Sequence, residues 1–311
     1  MVTREIQIEL KGYGSPEYAD AFREWGEPLW LPHARGFLLK RPISGTPYYD
    51  ASNCYPLFTC ANWAGLEREM ETLRRNLVSL VLVTDPFANF NYERMLNIFP
   101  DLFRPFKYHH IVELGQFSWQ TLSYHHRRNL KKALNEVDVE FCPLPEIYLN
   151  EWTELYQYLI QRHGIRGITA FSRESFRKQL QVPGLHLFRA MRDGRTIGMI
   201  LWMVQGYVAY YHLAAYSPEG YRYRASYALF WNSIEYFRKM ELDYLNLGSA
   251  AGLKQDDTSG LARFKRGWAT GSRLTYLAGV IFQRDVYQAV LEQKGLKENG
   301  FFPAYRKTEY K

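Results

Sequence analysis

HLFRAMRDGRTIGMILWMVQGYVAYYHLAAY, residues 186–216, reads as three strands in succession, His186–Arg192, Thr196–Val204 and Tyr207–Tyr216. Asp193-Gly194 and Gln205-Gly206 separate them. Asp-Gly is a favoured pair in a two-residue hairpin turn, because both of its positions adopt positive φ. The three strands are therefore expected to run antiparallel. A loop, Ser217–Gly220, leads into a helical pattern over Ala225–Met240, with Leu229, Ile234 and Phe237 among its apolar residues, and Asp243–Leu247 reads as a fourth strand. A helical crossover allows that strand to lie parallel to the third. The outcome is a mixed sheet with a loop-to-helix junction at the carboxyl end of a strand, where α/β proteins receive phosphates.

Working outward, Glu151–His163 and Phe171–Leu180 read as helices, the first turning Trp152, Leu155, Tyr158 and Leu159 toward a core. Within Trp119–Val137, Leu122, Leu130, Ala133, Leu134 and Val137 form one helical stripe, and Arg127, Arg128, Lys131 and Lys132 cluster elsewhere on the helix surface. This basic connecting helix, 118–137, is expected to divide the chain into 1–117 and 138–311. Before it, the apolar spacing predicts a helix over Leu66–Leu77, a strand over Ser79–Thr84 ended by Asp85-Pro86, a helix over Tyr92–Phe99 and a strand over Lys107–Leu114.

The 311 residues suffice for two domains, and 47% hydrophobic residues supply an ordinary core. A net charge of +7 favours anionic partners, among them CoA phosphates, sugar nucleotides, RNA and acidic lipid. Cys54, Cys60 and Cys142 form no CxxC pair, which argues against a disulfide framework or a cysteine zinc site and fits a reducing cytosol. Met1–Leu10 carries charges and no apolar signal core, and the clean apolar run Val78–Val83 is too short to span a bilayer. A cytoplasmic protein is expected, open to contact with a membrane surface. The sequence holds no HExxH, no GxxxxGK[ST] and no GxSxG, so zinc proteolysis, P-loop ATP hydrolysis and serine hydrolysis are not expected, nor is a bound metal.

The strand and helix order resembles the GNAT fold of acyl-CoA N-acyltransferases. Leu187–Tyr216 looks like the central GNAT strands, and Ser217–Leu229 sits where those enzymes carry their pyrophosphate loop. Leu245-Asn-Leu-Gly-Ser-Ala-Ala-Gly252, followed by Gly260-Leu-Ala-Arg-Phe-Lys-Arg-Gly267, resembles the signature of the FemAB-like branch, relatives of the peptidoglycan bridge-forming transferases. The basic helix His125–Ala133 is similar to one that FemAB-like proteins carry ahead of the catalytic half. The resemblance covers about residues 118 to 282. It implies an α+β protein of tandem GNAT-like domains with mixed, mostly antiparallel sheets, a diverged first half, and catalysis in the second. It further implies transfer of an acyl or aminoacyl group to an amine on a cell-envelope precursor or amino-sugar, with acyl-CoA or aminoacyl-tRNA as donor co-substrate and no permanently bound cofactor. DNA is not an expected partner.

Acyl transfer to an amine passes through a tetrahedral oxyanion and needs positive charge near that oxygen. The resemblance places Lys265 at the lysine that stabilises this state in FemAB-like transferases; from the residues alone it reads first as a surface lysine beside Arg263 and Arg266. Arg222 and Arg224 open the helix after the third strand, where free N–H groups and the positive dipole end suit phosphate, with Ala225 and Ser226 following. GNAT loops carry glycines at these last two positions. That departure points toward an aminoacyl-tRNA donor, or toward a binding protein that kept the fold without the activity. His212 and Tyr216, four apart on the third strand, are expected on one face: His212 as base or as a hydrogen-bonded core residue, Tyr216 as an acceptor-binding ring. Asp256 and Asp257 can hold a substrate amine or are solvated. Arg127 and Arg128, with Lys131 and Lys132, hold nucleotide phosphates or form a solvated face.

Overall fold

A computed structural model of the chain describes residues 10–250, 252, 258–298 and 300–310. The chain forms two compact units, the first from residues up to Phe103 together with Leu277–Glu309, the second from Arg104–Tyr276.

In the first unit α1 (Pro16–Asp20) precedes the antiparallel strands β1 (Glu27–Leu31), β2 (Gly36–Pro42) and β3 (Tyr49–Asn53). Helix α2 (Leu66–Asn76) then crosses over to β4 (Ser79–Val83), which pairs parallel to β3, and α3 (Tyr92–Ile98) follows. The apolar face of α2 buries Leu66 and Leu73 against Leu38, Leu80 and Leu82.

The second unit begins within β5 (Leu102–Glu113) and continues with α4 (Tyr124–Leu134), β6 (Asp138–Cys142), α5 (Leu149–His163), α6 (Arg173–Gln179), β7 (Leu185–Arg192), β8 (Arg195–Gln205) and β9 (Val208–Tyr216). Then come α7 (Pro218–Arg222), α8 (Ala225–Lys239), β10 (Tyr244–Asn246), α9 (Gly260–Arg266) and β11 (Gly271–Ile281). Its strand order is β11-β5-β10-β9-β8-β7-β6. The pairings β6–β7, β7–β8, β8–β9 and β10–β5 are antiparallel, and β10 pairs parallel with β9 through Leu245 and Ala209. The expected meander and parallel fourth strand are thus present, as is the expected α+β class with mixed, mostly antiparallel sheets. Strand β8 is buried without interruption from Ile197 to Met203, because helices cover both of its faces. Helix α8 covers one face, where Trp202 donates its indole N–H to Ser233 Oγ at 3.0 Å; α5 and α6 cover the other.

The alternation along β9 is broken at its centre. Leu213 pairs with Leu201 and Tyr211 with Trp202, which leaves His212 as an extra residue. Ala209, Tyr211, Ala214 and Tyr216 consequently belong to the core under α8, whereas His212 reaches Gln179 of α6. The expectation that His212 and Tyr216 share a face fails at this bulge.

The units also divide elsewhere than at the basic helix. The tail after Tyr276 belongs with the first unit, where β11 pairs antiparallel with β4 and α10 (Arg284–Gln293) buries Tyr287, Val290 and Leu291 beside Ile43 and Val78. Tyr305 Oη lies 2.8 Å from Ser79 Oγ, and the Arg306 guanidinium makes two bonds to Asp50, at 2.8 and 2.7 Å. Arg306 is 5% and Asp50 2% exposed, so neither charge has water to fall back on. Arg306→Ala is expected to destabilise the protein by about 3–5 kcal/mol, because it strands a buried carboxylate; chemical denaturation of the variant against wild type measures this.

Candidate active site

Strand β10 is only three residues long, and the chain turns at its end. Leu247 N–H bonds to His110 O (2.9 Å) and His110 N–H to Gly248 O (3.0 Å), which carries the turn along β5. Gly248 sits at φ 71°, a conformation that costs glycine little, and a Cβ there would lie 3.3 Å from Lys265 Nζ. Asn246 Oδ1 accepts the Gly248 N–H at 2.9 Å and faces His109 Nδ1 at 3.0 Å. A backbone N–H only donates, so the amide presents its oxygen here and His109 must carry its proton on Nδ1. Burial, then the neighbouring Lys265 charge, brings the His109 pKa down to about 3, so the ring is neutral at physiological pH.

Lys265 lies on α9, whose first turn is capped by Ser259 Oγ accepting from Ala262 N–H at 3.2 Å. Of the basic run 263–266, Arg263 and Arg266 point to solvent, whereas Lys265, on the face of Ala262, is 4% exposed. Its Nζ donates to Ser249 O at 2.7 Å and stands 5.0 Å from the centre of the Tyr211 ring. Burial, with the charge of Lys107 second, lowers its pKa to about 7. Lys107, on β5, is buried too; its Nζ donates to Ala250 O (3.0 Å) and to Gly252 O. Burial lowers its pKa as well. Lys265 and Lys107 thus hold the carbonyls of Ser249, Ala250 and Gly252, and the neutral His109 is bonded to Asn246 just before them.

Aromatic rings hold α9 in place. Phe264 meets Phe230 and Tyr227 of α8 edge-on at 4.9 and 5.1 Å, and Trp268 stacks on Phe230 at 5.7 Å. From α4, His126 Nε2 donates to Phe264 O at 3.0 Å, and its ring lies where any side chain at Gly267 would be, with a Cβ at 1.9 Å. Asn129, one turn along α4, accepts from Arg224 Nε at 3.0 Å and donates to Tyr227 Oη at 3.4 Å. The buried face of α4 therefore touches both α9 and the start of α8.

Arg224 occupies the N-cap of α8 in left-handed geometry, φ 59°, with no side chain capping the helix. Arg222 is exposed, Ala225 is buried and Ser226 is half-buried on the first turn. Arg127 is half-buried, and Arg128, Lys131 and Lys132 are exposed on α4. Two of the expected residues are not brought to Lys265. His212 Nε2 bonds to Gln179 Oε1 at 2.9 Å on the opposite face of the sheet, its pKa lowered to about 3 by burial. Tyr216 is buried, its ring against Tyr221 at 5.4 Å, and burial raises its hydroxyl well above the ordinary tyrosine range. Asp256 and Asp257 lie outside the described residues.

Lys107, His109, Asn246 and Tyr211 are the site residues that the sequence reading did not single out. The signal for two of them was available: Lys107 and His109, two apart on a strand, share a face, and that face carries Lys265's neighbours.

The sequence profile of the Acetyltransferase (GNAT) domain matches residues 122–266. This segment is what the chain shares with that family. The match includes α8, the Gly248 turn and Lys265, and stops short of Lys107 and His109 on the amino-terminal side. No protein of curated function matches the sequence. Among solved structures, FemX superposes with a TM-score of 0.66 at 13% identity, covering 90% of this chain and 94% of its own. The C-terminal domain of a putative lysylphosphatidylglycerol synthetase from Agrobacterium fabrum gives 0.58 at 15% identity, covering 93% and 94%. L-PGS from Bacillus licheniformis gives 0.56 at 16%, covering 93% and 98%. At these identities the likeness is one of fold. It extends over nine-tenths of the chain. The segment 122–266 is similar to an acetyltransferase domain, and among the described residues no helix is long and apolar enough to cross a membrane.

A lysine that titrates near 7 when folded and near 10.5 when unfolded binds fewer protons in the folded state between those values. Its contribution to stability therefore rises with pH across that window, and its cost is full below it. Lys265→Met is expected to raise the melting temperature more at pH 6 than at pH 9, which thermal unfolding at the two pH values checks.

Proposed function

We propose that this protein transfers an acyl or aminoacyl group from a thioester (acyl-CoA) or an aminoacyl-tRNA to an amine on a cell-envelope precursor or amino-sugar, in the cytoplasm. The observation that supports the reading is the burial of Lys265 at the Gly248 turn. An ammonium at that place, out of water and held by Ser249 O, is a preorganised donor for an oxyanion.

The reaction is direct attack. The neutral acceptor amine adds to the donor carbonyl carbon, the C–N bond forms, and the carbonyl oxygen takes the charge opposite the Lys265 ammonium. Collapse of this intermediate re-forms the carbonyl and expels the CoA thiolate or the ribose oxygen of the tRNA. The attacking nitrogen loses its proton, with no covalent bond to the enzyme. That proton goes to the departing thiolate or ribose oxygen, and Lys265 stays protonated as the cation for the oxyanion. His212, buried on the other face, is assigned no step.

The donor's phosphates would be held by the uncapped first turn of α8, with Arg224 and Ser226. Arg224 is tied to α4 through Asn129, so a donor seated there would sit on the element that also braces α9. The exposed cations Arg128, Lys131 and Lys132 on α4 would extend the contact to a polynucleotide.

Calorimetric titration with CoA, acetyl-CoA, a long-chain acyl-CoA and a charged tRNA identifies the donor class. Saturable binding of the thioesters, with CoA released on addition of amines, supports the first donor; binding of the tRNA alone supports the second; binding of neither sinks the reading. With the donor in hand, Lys265→Met is expected to lower kcat by about 10²–10³ while leaving donor affinity near wild type. For a tRNA donor, the triple change Arg128→Ala, Lys131→Ala, Lys132→Ala should weaken binding and flatten its salt dependence; for acyl-CoA it should leave affinity nearly unchanged.

A further inference from the structure

The second lysine of the site has no part in the transfer just described, yet the fold goes to some length to keep it in place. Lys107 is 5% exposed in the middle of β5. Its backbone is pinned on both sides by the buried Thr275 of β11, whose Oγ1 accepts from Lys107 N–H at 3.3 Å and donates to Lys107 O at 3.0 Å. The ammonium makes bonds to the carbonyls of Ala250 and Gly252, one and three residues beyond the Ser249 carbonyl that holds Lys265. Both lysines thus grip one short stretch of chain by its carbonyl oxygens.

A buried lysine is costly, and a second one nearby adds repulsion to desolvation. A merely structural clamp on these carbonyls would be cheaper as a glutamine amide or a threonine hydroxyl. The groups that face Lys265 explain why a charge is used. From β5 these are Lys107 and the neutral His109, from β9 the Tyr211 ring, and on α9 itself Arg263 and Arg266 point to solvent. Lys107 is therefore the cation from the sheet that acts on the Lys265 amine.

We propose that Lys107 is a second functional lysine of this site, a positioning residue that clamps the turn against which Lys265 is held and sets the charge state in which Lys265 works. The proposal rests on the reading of Lys265 as the transfer lysine and adds to it a residue outside the matched GNAT segment. In this arrangement Lys107 keeps its proton and its two carbonyl partners throughout, and Lys265 is the one that faces the reacting groups.

The test needs no substrate. Protein grown with 13Cε-lysine is titrated by NMR, and the Lys265 resonance is assigned by its loss in Lys265→Met. Wild type should show a midpoint near neutrality. Lys107→Met and Lys107→Gln both remove the charge, and the glutamine keeps a donor for the carbonyls in case the methionine variant does not fold. In either, the Lys265 midpoint is expected to move up toward the ordinary lysine range, and in Lys107→Arg it should stay near wild type. An unchanged midpoint in the folded, charge-free variants overturns the proposal. A rise with methionine but none with glutamine overturns the part played by charge and leaves the clamp. Because the readout is the titration of one amine, its failure is separate from failure of Lys265 as the transfer residue, which the turnover of Lys265→Met decides. Where a donor has been found, the alkaline limb of the kcat/KM profile should shift with the same sign as the NMR midpoint.

Discussion

Taking a lysine ammonium out of water costs several kcal/mol unless the protein replaces the lost hydration, and the second unit is organised around how it does so for Lys265. No carboxylate serves this purpose among the partners described. The replacement comes from a backbone carbonyl, Ser249 O, and from the π face of Tyr211. Both are weaker than a counter-ion, and that is consistent with use. A carboxylate partner would hold the lysine charged far above neutral pH, whereas a carbonyl and a ring leave it able to lose its proton. The carbonyl must then be presented inward, which a strand in regular register cannot do. This is why β10 stops after three residues and the chain turns at Gly248 under the control of the Asn246 side chain.

That same turn explains which parts of the site the sequence made legible. The meander, the crossover helix and the parallel fourth strand follow from hairpin pairs and apolar runs, which are local, and they appear as expected. The position of Lys265 was legible through the Leu245–Gly252 and Gly260–Gly267 segments, while its burial between two exposed arginines was not, because a seven-residue helix has too few turns for periodicity to orient it. His212 is the instructive failure. Strand parity assigns it to the face of Tyr216, and parity is what a bulge destroys. The extra residue at 212 moves the histidine to α6 and leaves Tyr211 to face the lysine. A bulge depends on the partner strand's register and cannot be seen in one strand's composition.

Lys107 and the division into units were illegible for a different reason. Both depend on contacts across long stretches of chain. Lys107 meets the carbonyls of Ala250 and Gly252 from more than 140 residues away in sequence. The tail beyond Tyr276 joins the first unit through Arg306 and Asp50, 256 residues apart. Neither pair carries a local pattern.

Cationic groups buried for function lower stability, and the remainder of the core has to offset them. The ring cluster of Phe264, Phe230, Tyr227 and Trp268 lies immediately behind Lys265 and forms part of the main core of the second unit. Burying one such side chain contributes on the order of 1.5–3 kcal/mol, so a few of them cover the desolvation of the lysine. The rings also exclude water from one side of the amine, which strengthens its field at the reacting carbonyl. Gly267 and His126 complete the arrangement: the glycine admits the imidazole, and the imidazole fixes the Phe264 carbonyl. The features that stabilise this unit and those that make Lys265 reactive are largely the same contacts, so a substitution that loosens the rings should degrade chemistry before it unfolds the protein.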